Sequence, residues 1–333
     1  MKSATLRIVL FIMIAAISVS GCTPAPAPEE EHFRIALIVP STIDDVSWSQ
    51  GMYDSLLSVQ ERMGGEEMLE IAYTEGLYAP ADVLAAVRDY ATEGYDLVIA
   101  HGSQFGTSLA QIAPDFPETS FAWGTSTNTY QADGINNIFA YQAEAQEGGY
   151  VNGVIAAMMT ETGKLGITGP VEAGDAVLYN EGFTKGAETT DPSVKVSISY
   201  TGSFGDVSLM NEAANAHIAE GVDMLTGSSQ SVTGSITACK EAGVYWFGAD
   251  FDQIPLAPEN VVASQTYDYT VALEDMILSH KAGFMGAKSY ILTFKNGGLN
   301  MVYNDAIGIP EDALAAAEVA IQGIKDGEIV FGE

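Results

Sequence analysis

The chain has 333 residues, with 13 Lys and Arg against 44 Asp and Glu and a formal net charge of −31. That balance excludes nucleic acid as a partner, because a phosphate backbone is gripped by Lys and Arg and repelled by carboxylates. It also weighs against a strongly anionic ligand: no Lys or Arg lies between Lys195 and Lys240, or between Lys240 and Lys281.

The first residues read as an export signal. Lys2 and Arg7 precede an apolar run from Ile8 to Val19, and Val19-Ser20-Gly21-Cys22 has the form of a lipobox. The pattern predicts cleavage after residue 21 and a diacylglycerol on Cys22. Residues 22–32, rich in Pro and Glu, then read as an extended tether. The folded part is expected outside the cytoplasm, at the cell surface and lipid-anchored to the membrane. With Cys22 acylated, Cys239 has no disulfide partner and reads as a small buried apolar residue. Four His and two Cys without ligand-like spacing predict no metal site, and no cofactor is expected.

From Arg34 onward, strand and helix signals alternate. Arg34–Val39 is an apolar run of strand length, followed by the polar turn Ile43–Gln50. A helix comes next, on which Met52, Leu56, Val59 and Met63 recur at helical spacing. Strands are predicted at Glu70–Thr74, Leu97–His101, Ser120–Trp123 and Ile135–Tyr141, with helices at Pro80–Glu93 and Thr107–Ala113. Glu144–Thr160 is a long helix whose Gly148, Gly149 and Gly153 permit close packing. A second series has strands at Lys164–Thr168, Val194–Tyr200, Asp223–Thr226, Tyr245–Ala249 and Val261–Gln265. Its helices are Val177–Thr189, Val207–Glu220, Ser231–Ala242 and Tyr269–Ala282. Ser289–Phe294 and Leu299–Val302 read as a hairpin around Asn296-Gly297-Gly298, and Pro310–Lys325 as a final helix. This alternation predicts an α/β chain with parallel sheets, whose ligand sits outside the carboxyl ends of the strands.

The two series resemble each other. Glu93-Gly94-Tyr95-Asp96-Leu97 and the loop Gly102-Ser103-Gln104 line up with Glu220-Gly221-Val222-Asp223-Met224 and the loop Gly227-Ser228-Ser229-Gln230. Shared βαβ grammar produces such matches by chance. Duplicated lobes produce them too, and would face each other across a ligand cleft.

Three turns carry candidate binding groups. In the first, Asp45, Trp48, Ser49 and Gln50 offer a carboxylate, an indole, a hydroxyl and an amide; Asp45 would equally serve as a helix cap and Trp48 as a core side chain. In the second, Gly202-Ser203-Phe204-Gly205-Asp206, Asp206 reads as a cap and Phe204 as either packing or an aromatic wall. In the third, Gly248-Ala249-Asp250-Phe251-Asp252-Gln253, a strand-end carboxylate can accept two adjacent hydroxyls of a sugar, hold a divalent ion with Asp252, or merely be solvated. No Gly-x-Ser-x-Gly and no Gly-x-x-x-x-Gly-Lys occurs, and His101 has no evident catalytic partner. A binding protein is expected rather than an enzyme. A secreted nucleoside-processing enzyme using Asp45 and Asp250, and a receptor for a sugar or a signalling ligand, are the alternatives.

In order along the chain, these segments resemble the basic membrane protein family of ABC-transporter substrate-binding lipoproteins, among them purine-nucleoside receptors. Asp44-Asp45-Val46-Ser47-Trp48-Ser49-Gln50 is similar to the family's Asp-Lys-Ser-Phe-Asn-Gln segment. Asn180-Glu181-Gly182-Phe183-Thr184-Lys185-Gly186 matches its Gly-Phe-x-x-Gly helix. Gly202–Asp206 matches Gly-Ser-Phe-x-Asp, and Gly248–Gln253 matches Gly-Val-Asp-x-Asp-Gln. The helix Gln142–Gly153 leading into Met159–Gly166 is similar to its entry into the second lobe. The resemblance implies a type I periplasmic-binding-protein fold, with two Rossmann-like lobes joined by a three-crossover hinge. The first lobe would hold residues 33–142 with about 262–288, and the second 143–261 with about 289–333. It implies a nucleoside-like ligand stacked between Trp48 and Phe204, its ribose held by Asp250, and Asp45 and Ser49 at the base end. Gly102, Ser103, Gln104, Gln230 and Tyr267 complete the expected site. The partners implied are an ABC permease with its ATPase subunits, and the receptor itself is expected to be a monomer. Three departures stand out: Ser49 replaces the family's Asn, Ser264-Gln265-Thr266-Tyr267-Asp268 carries no counterpart of the Lys that contacts ribose, and the family's Gly-Gly-Thr-Gly loop reads Gly227-Ser228-Ser229-Gln230. A neutral ring-bearing ligand, a nucleoside or free base, fits these residues better than a nucleotide.

Overall fold

The computed structural model describes residues 32–332. The expected signal sequence, Cys22 and all but the last residue of the tether lie outside the described residues. Among the described residues, no helix is long and apolar enough to cross a membrane.

The first lobe opens with β1 (Phe33–Ile38), α1 (Trp48–Met63), β2 (Leu69–Thr74), α2 (Pro80–Thr92), β3 (Leu97–Ala100), α3 (Gly106–Ile112), β4 (Ser120–Gly124) and β5 (Ile138–Ala143). β3 and β4 are buried at every position. Unbroken apolar runs of this kind belong to parallel strands covered by helices on both faces. The second lobe follows with α4 (Gln146–Met159), β6 (Lys164–Gly169), α5 (Gly174–Thr190), β7 (Lys195–Tyr200), α6 (Val207–Ala219), β8 (Met224–Thr226), α7 (Thr233–Ala242), β9 (Tyr245–Gly248) and β10 (Val261–Tyr267). α8 (Thr270–Lys281) then packs on α1. β11 (Ser289–Leu292), β12 (Leu299–Tyr303) and α9 (Glu311–Asp326) close the chain.

Two six-stranded sheets result. The first has the order β11-β5-β4-β3-β1-β2 and the second β12-β10-β9-β8-β6-β7. The first is parallel throughout, and in the second only β12 runs antiparallel, against β10. In each, the strand order reverses beside the opening strand, between β1 and β3 and between β6 and β8. The crevice at such a switch point is where open α/β sheets take ligands. The internal resemblance noted above falls on β3 and β8, which hold the same place in the two orders.

Two late expectations are corrected. Ser289–Phe294 and Leu299–Val302 do not form a hairpin: β11 pairs with β5 in the first sheet, and β12 with β10 in the second. The Asn296-Gly297-Gly298 turn exists, with the Asn296 side chain accepting the amides of Thr293 and Gly298, but it carries the chain from one lobe to the other. The lobe boundaries move accordingly. Residues 262–267 belong to the second sheet, as the continuation of β10, and 289–292 to the first. The chain therefore crosses between lobes three times, after β5, after β10 and after β11.

A close contact between α4 and α5 positions the start of the second lobe. On α4, a Cβ on Gly149 would lie 2.3 Å from the Tyr179 carbonyl oxygen, and one on Gly153 2.1 Å from that of Phe183. α5 reciprocates through Gly182 and Gly186, whose Cβ atoms would strike the carbonyls of Gln146 and Tyr150. Only hydrogen atoms fit between these backbones, which explains the glycine pattern of both helices.

Candidate ligand-binding cleft

One cleft collects the carboxyl-end turns of nearly every central strand. It is lined by Pro40 after β1, Tyr78 after β2, Ser103 and Gln104 after β3, and Thr125 after β4. The second lobe contributes Ala173 to Ala176 after β6, Phe204 after β7, Ser228 to Gln230 after β8 and Asp250 after β9. Trp48, the first residue of α1, completes the wall. Thus Trp48 and Phe204 reach the same space from different lobes.

Of the expected positions, Trp48, Ser103, Gln104, Phe204, Gln230 and Asp250 line the cleft, whereas Asp45, Ser49, Gly102 and Tyr267 do not. Asp45 is buried because its carboxylate caps α1, accepting the amides of Ser47 at 3.0 Å, Gln50 at 3.1 Å and Ser49 at 3.3 Å. Orphan amides at a helix start attract such an acceptor. Burial pushes the Asp45 carboxyl above its usual range while these bonds pull it back. Ser49 is fully buried, and its hydroxyl lacks a partner. Tyr267 lies behind the wall, where its hydroxyl approaches Asp250 without completing a hydrogen bond. Asp206 caps α6, accepting from Ser208 and Leu209.

Asp250 is 2% exposed and adopts a left-handed backbone, φ 72°, a conformation Asp tolerates better than most side chains. Ser228 Oγ donates to it at 3.0 Å and Ser47 Oγ at 3.3 Å. Burial pushes its carboxyl up to about 6, opposed by the two serine hydroxyls. The single Ser47 proton is shared between Asp250 and the Ser229 carbonyl, which lies at 3.0 Å. Since Ser47 belongs to the first lobe and Asp250 and Ser229 to the second, this one hydroxyl ties the lobes together across the cleft.

Sequence reasoning missed Tyr78, Thr125 and above all Asp175. Asp175 opens the first turn of α5, is 7% exposed, and has Oδ1 buried with no partner. Burial, then the charges of Asp250 and Glu144, holds its carboxyl well above the usual range. The signal was faint: Gly174-Asp175 opens α5 several residues past the end of β6, whereas Ala249-Asp250 follows β9 directly. Among the lining residues Asp175 and Asp250 are the only charged side chains. Trp48 Nε1, Thr125 Oγ1 and Gln230 Oε1 are also buried without partners. Buried polar atoms are normally paired, so four orphans around one cleft, two from each lobe, mark a place built for a guest.

Two facing α/β lobes with three crossovers, closing on a cleft of aromatic and unpaired polar groups, define a protein of the type I periplasmic-binding fold. A solved ABC transporter solute-binding protein from Aeropyrum pernix shares this fold, with a TM-score of 0.77 and 19% identity over 90% of this chain and 93% of that one. The chain belongs to the Bmp family of PnrA-like ABC transporter substrate-binding proteins, which residues 33–330 match. It is similar to basic membrane protein A of Borreliella burgdorferi, 28% identical over 304 residues, covering 90% of this chain and 87% of the relative. It is likewise similar to a purine-binding protein of Brucella abortus, 26% identical over 303 residues, covering 91% and 84%. The family is one of substrate-binding receptors rather than enzymes, and its role is to present a small solute to an ABC transporter.

Proposed function

We propose that this receptor binds a nucleoside-like ligand between Trp48 and Phe204, with Asp250 accepting the ribose hydroxyls, and delivers it as a lipid-anchored monomer to its permease and ATPase subunits. The observation that carries this reading is the meeting of Trp48 and Phe204, from different lobes, in one cleft that also holds Asp250. Aromatic faces on both sides suit a flat base, and a carboxylate suits two adjacent hydroxyls. The similarity to a purine-binding relative supports the same class. Closure would follow from contacts made to both lobes at once. The absence of Lys and Arg from the lining favours a neutral nucleoside over a nucleotide. The enzymatic alternative loses its base, because the Asp45 carboxylate is occupied by three helix-start amides.

The test is a thermal-shift screen of the Cys22→Ser chain, refolded from denaturant to remove any carried ligand, against nucleosides, bases, pentoses and nucleotides. A ligand that binds only the folded state raises the midpoint. The reading expects shifts with nucleosides that Asp250→Ala abolishes. Shifts with pentoses but with no nucleoside would overturn it in favour of a sugar receptor.

A further inference from the structure

Asp175 is a buried carboxyl at the cleft wall for which the capping and hinge contacts give no use. Its neighbours deepen the puzzle. The charges that act on it are those of Asp250 and Glu144, both acidic, and its own acts on the Tyr141, Tyr267 and Tyr269 hydroxyls. No cation lines the cleft. Burying a carboxyl costs free energy unless something hydrogen-bonds to it, and like charges nearby raise that cost. A core position with those neighbours would be better served by Asn or Leu. What the empty protein leaves unmatched, a ligand can match.

The chemistry of the match follows from the other orphans. Asp175 Oδ1 and Gln230 Oε1 are both buried acceptor positions without a donor, and both line the cleft. Gly174 places the start of α5 against Thr125 of the first lobe, since a Cβ there would sit 3.6 Å from Thr125 Cβ. Asp175 therefore stands where the lobes meet. Whether ionised or protonated, a carboxyl retains an oxygen that accepts. The group it calls for is a hydrogen-bond donor, and on the edge of a flat base that donor is an N–H.

Resting on the nucleoside reading, we propose that Asp175 is a ligand-binding and specificity-determining residue that accepts an exocyclic amino group of the base, so that the cleft selects amino-bearing bases over otherwise identical ones. A site built to bond a donor rejects the analogue without it, because the buried acceptor is left unpaired. The carboxyl and Gln230 together would read the amino edge while Asp250 holds the opposite, sugar end.

Two pairs of commercial nucleosides isolate this contact: adenosine against purine riboside, which lacks the 6-amino group, and guanosine against inosine, which lacks the 2-amino group. Their dissociation constants would be measured by calorimetry on the Cys22→Ser chain and on its Asp175→Ala and Asp175→Asn variants. In at least one pair the amino-bearing member should bind about tenfold or more tightly. That gap should close in Asp175→Ala and persist in part in Asp175→Asn, which keeps a carbonyl acceptor. Thermal midpoints of the empty variants, equal to or above that of the parent, would verify folding. Equal affinity within both pairs overturns the proposal, as does a gap that Asp175→Ala leaves intact. A uniform loss across all four nucleosides also overturns it, because a merely structural residue behaves that way. Binding by none of the four overturns the nucleoside reading itself and this inference with it, an outcome distinct from the others because the parent chain alone reveals it.

Discussion

The His101 imidazole lies face to face with the Trp48 indole, 3.5 Å between ring centroids and 18° between planes. Its Nε2 is 3.1 Å from the Trp48 carbonyl oxygen, and its Nδ1 is 2.6 Å from the Tyr141 hydroxyl. A carbonyl can only accept, so Nε2 carries the proton and Nδ1 accepts from Tyr141. His101 thus holds both the backbone and the ring of the residue that forms one wall of the cleft. Burial keeps the imidazole neutral, its pKa lowered to about 3. The histidine that has no catalytic partner in the sequence is a positioning residue.

Replacing it with Phe should keep the stack and strand the Trp48 carbonyl and the Tyr141 hydroxyl. Each buried orphan costs about 1–3 kcal/mol, so His101→Phe should lower stability at pH 7 by that order in urea titrations. The folded pKa lies below the unfolded one, so the stability contributed by His101 is complete above about 6.5 and is lost as pH falls toward 3. In the variant that acid-side loss should be shallower by close to one proton.

Trp48→Ala should weaken nucleoside binding by about 1–3 kcal/mol, the usual contribution of one stacked base. Trp48→Phe should recover most of it. Phe204, half-buried and held only through its carbonyl by the Ser229 and Ser231 hydroxyls, has a ring that is free to serve the ligand. Phe204→Ala should therefore reduce affinity with little change in the midpoint of the empty protein. Equal losses of stability and affinity at Phe204 would mean that its ring is packing instead.

Asp250 should show the opposite signs for stability and for function. Its folded pKa of about 6 lies above the unfolded value of 3.8, so the stability linked to its proton is present below 3.8 and lost as pH rises through 6. At pH 7 the ionised, buried carboxylate costs on the order of 3 kcal/mol relative to a group that stays neutral. Asp250→Asn, which also suits a left-handed backbone, should raise the midpoint of the empty protein at pH 7 and erase its decline between pH 4 and 6. It should also weaken ligand binding, as loss of a charged acceptor does. A midpoint that falls at pH 7 would show that the Ser47 and Ser228 bonds outweigh the burial of charge.

How much of this was legible in the sequence depended on how local the cause was. Strands such as Leu97–Ala100 were legible because a run of apolar residues between turns has few other uses. The Asn296-Gly297-Gly298 turn was legible too, but what β11 and β12 pair with was not. A turn signal specifies a reversal, while strand partners are chosen by the free sheet edges of two lobes. Asp45 and Asp175 were exchanged for a similar reason. Both are acidic residues at helix starts, and only three-dimensional placement tells that the first is consumed by three amides while the second is left bare. In a chain with 44 acidic residues, one more carboxylate carries no contrast.

The α4–α5 contact offers a stability test independent of any ligand. Gly153→Ala would set a methyl 2.1 Å from the Phe183 carbonyl oxygen, and Gly186→Ala one at 2.1 Å from that of Tyr150. Backbone cannot yield as a side-chain tip does, so each should cost about 3 kcal/mol or more, at the upper end of overpacking. Gly308→Ala, with nothing within 4 Å, should be neutral and serves as the control.

The hinge should respond to pH through Glu147. Its carboxylate accepts the Phe294 amide at 2.6 Å, linking the first crossover to the third. Burial, opposed by the Phe294 amide, reinforced by nearby Glu144 and opposed again by Lys325 on α9, raises its pKa to about 7. Because this folded value exceeds the unfolded 4.5, the linked stability is present below 4.5 and lost as pH rises through 7. Hinge amides around Phe294 should accordingly exchange with deuterium faster at pH 8 than at pH 6, after correction for intrinsic exchange. Glu147→Gln keeps an acceptor for Phe294 and cannot ionise, so it should hold the slower, low-pH protection at both pH values. If parent and variant show the same pH dependence, ionisation of Glu147 does not control the hinge.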